Sequence, residues 1–195
     1  MLPLFPLNTL LFPGCYLDLQ LFEARYLDMI SRCLKEGHGF GVVAILDGAE
    51  TGAAPSAFTP IGCEALIRDW QQLPNGLLGM RIEGGRRFEV RRAEVQPDQL
   101  TVAEVEWLAT PDETPLDDAY EDLAVLYQAL ARHPLVESLG MQEPAEGRQA
   151  LGNRLAYLLP FSLEQKQRLL RLDDDDERLD AVQQMLERLQ GEVTN

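Results

Sequence analysis

Residues 78–108, LGMRIEGGRRFEVRRAEVQPDQLTVAEVEWL, decide the fold. Apolar side chains recur at every second position through most of this stretch, which is typical of β-strands that bury one face. Gly84-Gly85 predicts a two-residue hairpin turn, and Pro97-Asp98 predicts a second turn. The stretch therefore predicts three short strands that follow one another along the chain.

The apolar positions change face part-way along two of these strands. Phe88 occupies an even position and Val95 an odd one, and after the turn Leu100 is even whereas Trp107 is odd. If Val95 lies opposite Leu100, both strands change face at the same level, and a shared bulge or sharp bend explains the change. Bends of this kind let a sheet curl, so a partly closed β-barrel is predicted.

The residues before this stretch predict one helix and four more strands. Residues 22–34 carry apolar side chains at helical spacing, beginning with Phe22 and Tyr26, and predict an amphipathic helix. Residues 2–7 are predicted to form an edge strand, because their two prolines cannot donate hydrogen bonds to a neighbouring strand. Further strands are predicted at residues 16–21, 40–46 and 61–67.

The pattern becomes helical after the polar, proline-containing segment 110–115. Ser162 and Gln165 predict a capping box at the start of one helix. Other helices are predicted from apolar stripes within residues 116–131, 151–159 and 179–189. We therefore predict an α+β protein with two domains: a β-rich pseudo-barrel lobe at 1–110 with one amphipathic helix, and an all-α helical lobe at 111–195.

The chain is strongly acidic. It has 195 residues, with 17 Lys+Arg against 32 Asp+Glu and a formal net charge of -15. Residues 1–110 hold 9 basic and 14 acidic residues, whereas residues 111–195 hold 8 and 18, so two thirds of the net charge lies in the helical half. A nucleic-acid partner is not expected, because phosphate backbones are bound by clustered Lys and Arg.

No membrane or secretion signal is expected. No apolar run approaches the roughly 20 residues that span a bilayer, and the start of the chain lacks a basic, then apolar, signal-peptide pattern. The three cysteines, Cys15, Cys33 and Cys63, are odd in number and widely spaced, which fits reduced thiols. We predict a cytoplasmic protein.

Motifs of catalysis and metal binding are not found in the sequence. It lacks a P-loop, a Gly-x-Ser-x-Gly elbow, and the Cys-x-x-Cys and His-Glu-x-x-His spacings of zinc sites. His38 is interpreted as a turn residue and His133 as a helix cap where a cation is favoured. The acidic run 173–176 is interpreted as a solvated helix start. We predict no catalytic residue, metal or cofactor, and hence no enzyme; a thiol–imidazole pair stays an open alternative.

Five residues are candidates for binding. Trp70 lies close to a predicted turn and is expected to be partly exposed, whereas Trp107 is expected in the core. Phe58 is the one large apolar residue of the long non-periodic segment 47–60, for which a flexible connector and a contact loop are both open readings. Basic side chains at Arg81, Arg86 and Arg87 offer a local site for a carboxylate or for the acidic patch of a partner.

Several motifs of the first half occur together in one known family. In chain order they are LPLFPLNT at 2–9, LFPG at 11–14, LFEARY at 21–26, FGVV at 40–43, IGCEA at 61–65 and GRRFEV at 85–90. The sequence resembles the amino-terminal, substrate-binding domain of Lon protease over most of residues 1–110, and more loosely over the helical half. In the shared Phe-Glu-x-Arg-Tyr signature, Arg25 points away from the apolar helix face and is expected to pair with a strand carboxylate.

The resemblance implies a fold and a function. The fold is a PUA-like pseudo-barrel followed by a helical bundle, and the function is a non-catalytic protein- or peptide-recognition module. The implied partners are unfolded or tagged polypeptide or a partner protein, and the family is associated with self-assembly. The ATPase and protease modules of a full Lon protease are absent from these residues, so a stand-alone relative is expected.

Two other readings stay open. A small-molecule binder, or an enzyme without a recognised motif, would use the barrel mouth, with Arg81, Arg86 and Arg87 as one cluster. RNA binding, the second of these readings, would rest on fold analogy alone.

For peptide recognition itself, residues 2–7 would offer an edge for strand pairing, a route that their prolines weaken.

Overall fold

The computed structural model describes residues 1–193. The chain divides into two compact units, residues 1–108 and residues 109 onward. The predicted boundary between two domains at residue 110 stays a prediction, and the last two positions of the predicted helical lobe lie outside the described residues.

The first unit is a circuit of paired strands with one helix. Its elements are β1 (Leu2–Leu7), β2 (Tyr16–Leu21), α1 (Ala24–Glu36), β3 (Phe40–Asp47), β4 (Ala57–Phe58), β5 (Ile61–Gln72), β6 (Leu78–Val95) and β7 (Thr101–Trp107). The sheet order is β1-β7-β6-β5-β3, and β3 also pairs with β1, so five strands close on themselves. This closed circuit, together with the helices of the second unit, confirms the predicted α+β class with a pseudo-barrel.

The first strand is not an edge, contrary to the prediction. Leu4–Leu7 pair in parallel with residues 41–44 of β3, and Leu2 and Pro3 pair antiparallel with Ala103 and Val102 of β7. One proline lies in each half of the strand, and each half pairs with a different neighbour. Residues 2–7 therefore offer no edge that is free along its whole length for a bound peptide.

Gly84-Gly85 does not form a turn, and the predicted hairpin there is wrong. β6 runs without a break from Leu78 to Val95. The backbone of Gly84 bonds to both Gly14 and Cys15, and a Cβ at Gly84 would lie 2.0 Å from the carbonyl oxygen of Phe12. The glycine is needed for this close backbone approach rather than for a reversal of the chain.

The predicted bulge is present, although on one strand only. Val90 pairs with Val105 and Arg92 with Glu104, which leaves Arg91 as an extra residue in β6. Val95 lies opposite Thr101, one position from the predicted Leu100. The expectation that Val95 faces inward is wrong, because this end of β6 extends past the core and Val95 is exposed.

The helix α1 covers one side of the core. Tyr26, Met29, Ile30 and Cys33 are buried, as their spacing predicts. Phe22 was predicted on the same face, but it precedes the helix and is 57% exposed. The helix packs on the larger of two apolar clusters; the smaller contains Leu4, Val43, Phe88 and Ala103.

Arg25 also differs from expectation. Its side chain is buried, Nη1 donates to the backbone oxygen of Gln99 at 2.8 Å, and Nη2 lies 3.0 Å from the Glu23 carboxylate. The partner carboxylate is thus the residue before the helix and not a strand residue. Arg25 therefore ties the start of α1 to the β6–β7 turn.

The second unit is helical. After a short 3-10 turn at Asp118–Tyr120, its helices are α2 (Glu121–Ala131), α3 (Pro134–Ser138), α4 (Arg148–Leu158), α5 (Leu163–Arg171) and α6 (Asp175–Val193). The capping box of Ser162 and Gln165 is present at the start of α5. His133 caps a helix as predicted, but at the N-terminus of α3, where its Nδ1 accepts from Leu135 N–H. The helix end that it caps is thus the one that needs a hydrogen-bond acceptor, and not the C-terminus, where a cation is favoured.

The acidic run 173–176 spans the start of α6, and several of its carboxylates make specific contacts. Asp174 accepts from the N–H of Glu177, and Asp176 pairs with Arg148 at 2.7 Å. Asp175 is buried and pairs with Arg178 at 2.5 Å. The Arg178 guanidinium is 2% exposed and also donates to the backbone oxygens of Leu169 and Leu172. The predicted solvated helix start is therefore present at the exposed Asp173 and Asp174, and the prediction is wrong for the buried Asp175.

Candidate functional site

The strand β2 offers the pairing edge that β1 does not. β2 pairs with β6 from Tyr16 to Leu21, and no other strand of residues 1–193 pairs with it. In an antiparallel pair, every second residue directs its backbone N–H and C=O groups away from the partner strand. One side of β2 is therefore available to a further strand.

A cavity of about 350 Å³ lies beside β2 and contains Trp70. The indole is 58% exposed, although its strand neighbour Met80 is buried. Trp70 thus lies where the inward face of β5 extends beyond the core. Arg81 lines the same cavity and makes two hydrogen bonds of 2.8 Å to the Asp18 carboxylate. The predicted exposure of Trp70 is present, and Trp70 and Arg81 line one site.

A second cavity, of about 160 Å³, lies on the helix side of β2. Phe5, Leu7 and Tyr26 form its apolar part, and Phe22 is exposed beside them. Burial raises the pKa of Tyr26 to about 12, so its hydroxyl stays neutral. Glu23 and Glu50 supply the polar part of the lining.

The two cavities are neighbours along β2. Both are lined by Asp18, Leu19 and Gln20, which are consecutive residues of the strand. We call β2 with these two cavities the β2 surface. Four carboxylates line it, from Asp18, Glu23, Glu50 and Asp69, against the one guanidinium of Arg81. The β2 surface therefore combines an unpaired strand edge, two exposed aromatic rings and an excess of negative charge.

Arg86 belongs to a different cavity, of about 430 Å³. Its guanidinium lies 4.0 Å from the centre of the Trp107 ring and 3.3 Å from the Glu64 carboxylate. Trp107, which was expected in the core, is 37% exposed and packs edge-on against Phe88. It is therefore only partly buried. His38 also lines this cavity, where hydrogen bonds to Gly39 and Glu36 raise its pKa.

The three arginines do not form one cluster. Arg81 lines the Trp70 cavity, Arg86 lines the Trp107 cavity, and Arg87 is buried in the interior with 4% exposure. Phe58 is half-buried on β4 and packs against the smaller apolar cluster. Arg87 and Phe58 therefore contribute to the interior, and neither lines the β2 surface.

The cysteines are poor nucleophiles in this structure. All three are free and buried. Burial raises the pKa of Cys33 to about 11 and that of Cys63 well above its ordinary value. Cys33 Sγ and His38 Nδ1 both bond to the carbonyl oxygen of Gly39 rather than to each other. The Cys33 thiol is therefore not hydrogen-bonded to the His38 imidazole.

Within residues 1–193, His, Cys, Asp and Glu side chains form no group of three or more that would hold a metal ion. No helix in that range has the length and apolar character that crossing a bilayer requires.

Two features of the β2 surface were missed in the sequence. Phe22 continues the helical spacing by one turn before the helix begins, so its position was misassigned. The free side of β2 depends on long-range pairing with residues 78–83, which no local pattern reports.

A strand circuit with an uncovered side on β2 and exposed aromatic rings on the same sheet is typical of a recognition domain. Comparison with known families agrees. The chain belongs to the family described as the ATP-dependent protease La (LON) substrate-binding domain, which matches residues 1–188.

Individual relatives show the same relationship. The chain is 26% identical to Lon protease of Flavobacterium johnsoniae and 25% identical to that of Cytophaga hutchinsonii, over 91% and 96% of this chain. It spans 22% and 24% of the length of those two proteins. The match is therefore to one domain of each relative.

Two solved structures share the fold. A crystal structure of a Lon N-terminal domain protein from Xanthomonas campestris has a TM-score of 0.75 and 36% identity, and the match covers 95% of this chain and 96% of that one. The N-terminal domain of a Lon protease from the Mycobacterium avium complex has a TM-score of 0.59 and 19% identity, with 93% and 95% covered. The second likeness shows the fold alone.

Proposed function

We propose that this chain is a non-catalytic module that recognises unfolded or tagged polypeptide, and that it binds at the β2 surface. The observation that carries the proposal is the uncovered side of β2 beside the exposed ring of Phe22. Trp70 lies on β5, across β6 from β2, and its exposed indole extends the surface over the face of the sheet. The family supports it, because its members are described as substrate-binding domains of a protease.

The aromatic rings are expected to supply most of the affinity. An exposed indole or phenyl ring that a partner covers loses contact with water and gains close packing, and such residues dominate many interfaces. The strand edge would supply backbone hydrogen bonds that do not depend on the partner's sequence. This combination suits a module that accepts many polypeptides.

Binding to an unfolded probe tests the proposal. Reduced, carboxamidomethylated lysozyme serves as the unfolded ligand and folded lysozyme as its control. Trp70→Ala and Phe22→Ala are each expected to weaken binding about tenfold or more, because each removes a large contact from the centre of the surface.

The matched control lies on the helical unit. Val125 is 59% exposed, comparable to Phe22 and Trp70, and Val125→Ala is expected to leave binding unchanged. Binding of the unfolded probe that is unaffected by both aromatic substitutions would exclude the β2 surface. Absence of binding to the unfolded probe by the unmodified protein would exclude the function itself.

A small-molecule site is the second candidate, supported by the Trp107 cavity. Its lining includes Leu2, Glu64, Arg86 and Trp107 from four strands of the circuit, and Gly39 directly before the fifth. Arg86→Ala would lower the affinity of any anionic ligand there. A fragment screen followed by protein NMR tests this candidate, and shifts confined to the β2 surface would argue against it.

The cysteines support a cytoplasmic location. None of the three forms a disulfide, and buried free thiols suit a reducing compartment. Self-assembly, which the family resemblance implies, is tested by sedimentation of the purified protein over a range of concentrations.

A further inference from the structure

We infer that the β2 edge binds an extended segment as an added antiparallel or parallel strand, and that the preferred segment alternates basic and apolar residues. This inference rests on the proposed function and names the chemical class of its ligand. It is supported by the unprotected character of the edge, by the alternation of its side chains and by its charge.

The edge of β2 lacks the usual protection against strand pairing. Natural edge strands carry proline, lysine, a bulge or very short length, which keep other chains from adding to the sheet. β2 has the sequence Tyr-Leu-Asp-Leu-Gln-Leu, contains neither proline nor lysine, and pairs with β6 over six residues without a register shift. An edge left in this state is suited to accept a strand.

The side chains of β2 alternate between two chemical environments. Leu17, Leu19 and Leu21 alternate with Asp18 and Gln20. Side chains of an added strand lie beside those of its neighbour on the same face of the sheet. Every second residue of the bound segment would therefore meet leucines, and the others would meet the polar face.

The charges of the surface favour a basic segment. Four carboxylates line the two cavities. Asp18 is paired with Arg81 and Glu23 with Arg25, so the net negative charge comes from Asp69 and Glu50. Asp69 is exposed next to Trp70, and Glu50 lies at the Phe22 end. Lysine or arginine in the bound segment would gain carboxylate partners, whereas acidic residues would be repelled.

The same charges argue against a second copy of this chain as the occupant. Pairing β2 with β2 would bring two sets of carboxylates together, and the chain carries a net charge of -15. Like charges across an interface oppose association. A foreign segment with positive charge relieves this repulsion.

Labelled peptides of eight residues that alternate lysine with valine test the inference, with a glutamate–valine peptide as the matched partner. The lysine peptide is expected to bind about tenfold or more tightly by fluorescence anisotropy, and its advantage is expected to shrink as salt is added. A lysine–valine peptide that is N-methylated at alternate residues removes backbone donors. Methylation in one register is expected to abolish binding, and methylation in the other to leave it largely intact.

Asp18→Asn provides a test from the side of the protein. It removes one carboxylate and releases Arg81, so the preference for the lysine peptide is expected to fall at least several-fold. Glu106→Gln is the matched control. Glu106 lies on β7, away from β2, and forms a similar exposed pair with Arg91 of β6. An equal effect of both substitutions would show a general charge effect and would overturn the inferred site.

The outcomes separate this inference from the proposed function. Equal affinity for the lysine and glutamate peptides, with unfolded lysozyme still bound through Trp70, overturns the inference and leaves the proposed function standing. Indifference to N-methylation in both registers overturns the added strand. Failure to bind either the peptides or unfolded lysozyme removes both.

Discussion

The two units use their carboxylates differently. In the helical unit, acidic side chains are bound to the unit's own N–H groups and arginines. Glu113 accepts from the N–H groups of Gln149 and Ala150, and Arg148 is shared by Asp117 and Asp176. In the β unit, four carboxylates line the exposed cavities beside β2, although Asp18 and Glu23 among them are paired with Arg81 and Arg25. Net charge alone therefore does not locate a binding surface.

The difference explains why the more acidic half is not the candidate site. The helical half holds 18 acidic residues, and several of these stabilise helix starts or a buried arginine. The β unit holds fewer acidic residues, but it places several of them around an open strand edge and two aromatic rings. We expect the buried Arg178–Asp175 pair of the helical unit to matter more for stability than the exposed Arg81–Asp18 pair beside β2.

The largest expected effect is on the buried pair of the helical unit. Arg178→Ala leaves Asp175 buried without its cation and is expected to lower the free energy of unfolding by about 3–5 kcal/mol. Arg81→Ala removes an exposed pair of the β unit and is expected to cost less than about 1 kcal/mol. Urea unfolding of the three proteins measures both values. Equal losses of unfolding free energy in Arg178→Ala and Arg81→Ala would contradict the expected difference between the two pairs.

A second variant of the same pair sharpens the interpretation. Replacing both partners, with Arg178→Met and Asp175→Leu, removes the buried charges together. This double variant is expected to be clearly more stable than Arg178→Ala, because no unpaired charge remains in the interior. A double variant as unstable as the single one would show that the hydrogen bonds of Arg178 to Leu169 and Leu172 matter more than the charge.

A smaller effect is expected from backbone packing in the β unit. Gly84→Ala would place a Cβ 2.0 Å from the backbone oxygen of Phe12, which cannot move without disturbing the sheet. We expect a loss of about 1–3 kcal/mol in unfolding free energy. Gly79→Ala on the same strand meets the movable side chain of Leu73 and is expected to cost less. A Gly84→Ala variant as stable as the unmodified protein would contradict the close contact between Gly84 and the backbone of Phe12.

The smallest expected effect is a pH dependence at His38. The carbonyl of Gly39 and the carboxylate of Glu36 raise its pKa above the ordinary value of 6.5. The raised pKa means that His38 stabilises the fold fully below about pH 6.5 and loses this contribution as pH rises through the raised value. Unfolding of His38→Gln and the unmodified protein at about pH 5.5 and about pH 8.5 should differ more at the lower pH. A larger difference at the higher pH would reverse the assigned sign.

Local sequence patterns predicted individual helices better than they predicted which distant parts of the chain pack together. The amphipathic spacing around Tyr26 and the capping box at Ser162 are decided within a few residues, and both are present. Gly84 was mistaken for a turn residue because the sequence shows only that a glycine is needed. Its reason, the passing backbone of Phe12, is separated from it by more than 70 residues.

The candidate site was predictable in part. The exposure of Trp70 was predicted because Trp70 lies near the Pro74-Asn75-Gly76 turn. In the structure its indole is exposed because β5 extends beyond the core there. The sequence predicted the free edge at β1 instead of β2. The prolines of β1 suggested an edge strand although β1 pairs in parallel with β3, and no residue pattern in β2 indicates that it pairs on one side only. Arg81 and Arg86 are close in sequence yet lie in different cavities, because β6 continues straight through Gly84.

The double pairing of β1 has a consequence for how the protein is made. β1 is synthesised first and its β3 partner soon afterwards, but Ala103 of β7 follows about a hundred residues later. The circuit cannot close on a ribosome that has not yet released that strand. A nascent or truncated copy therefore displays open strands of its own, the kind of polypeptide that the finished module is proposed to bind.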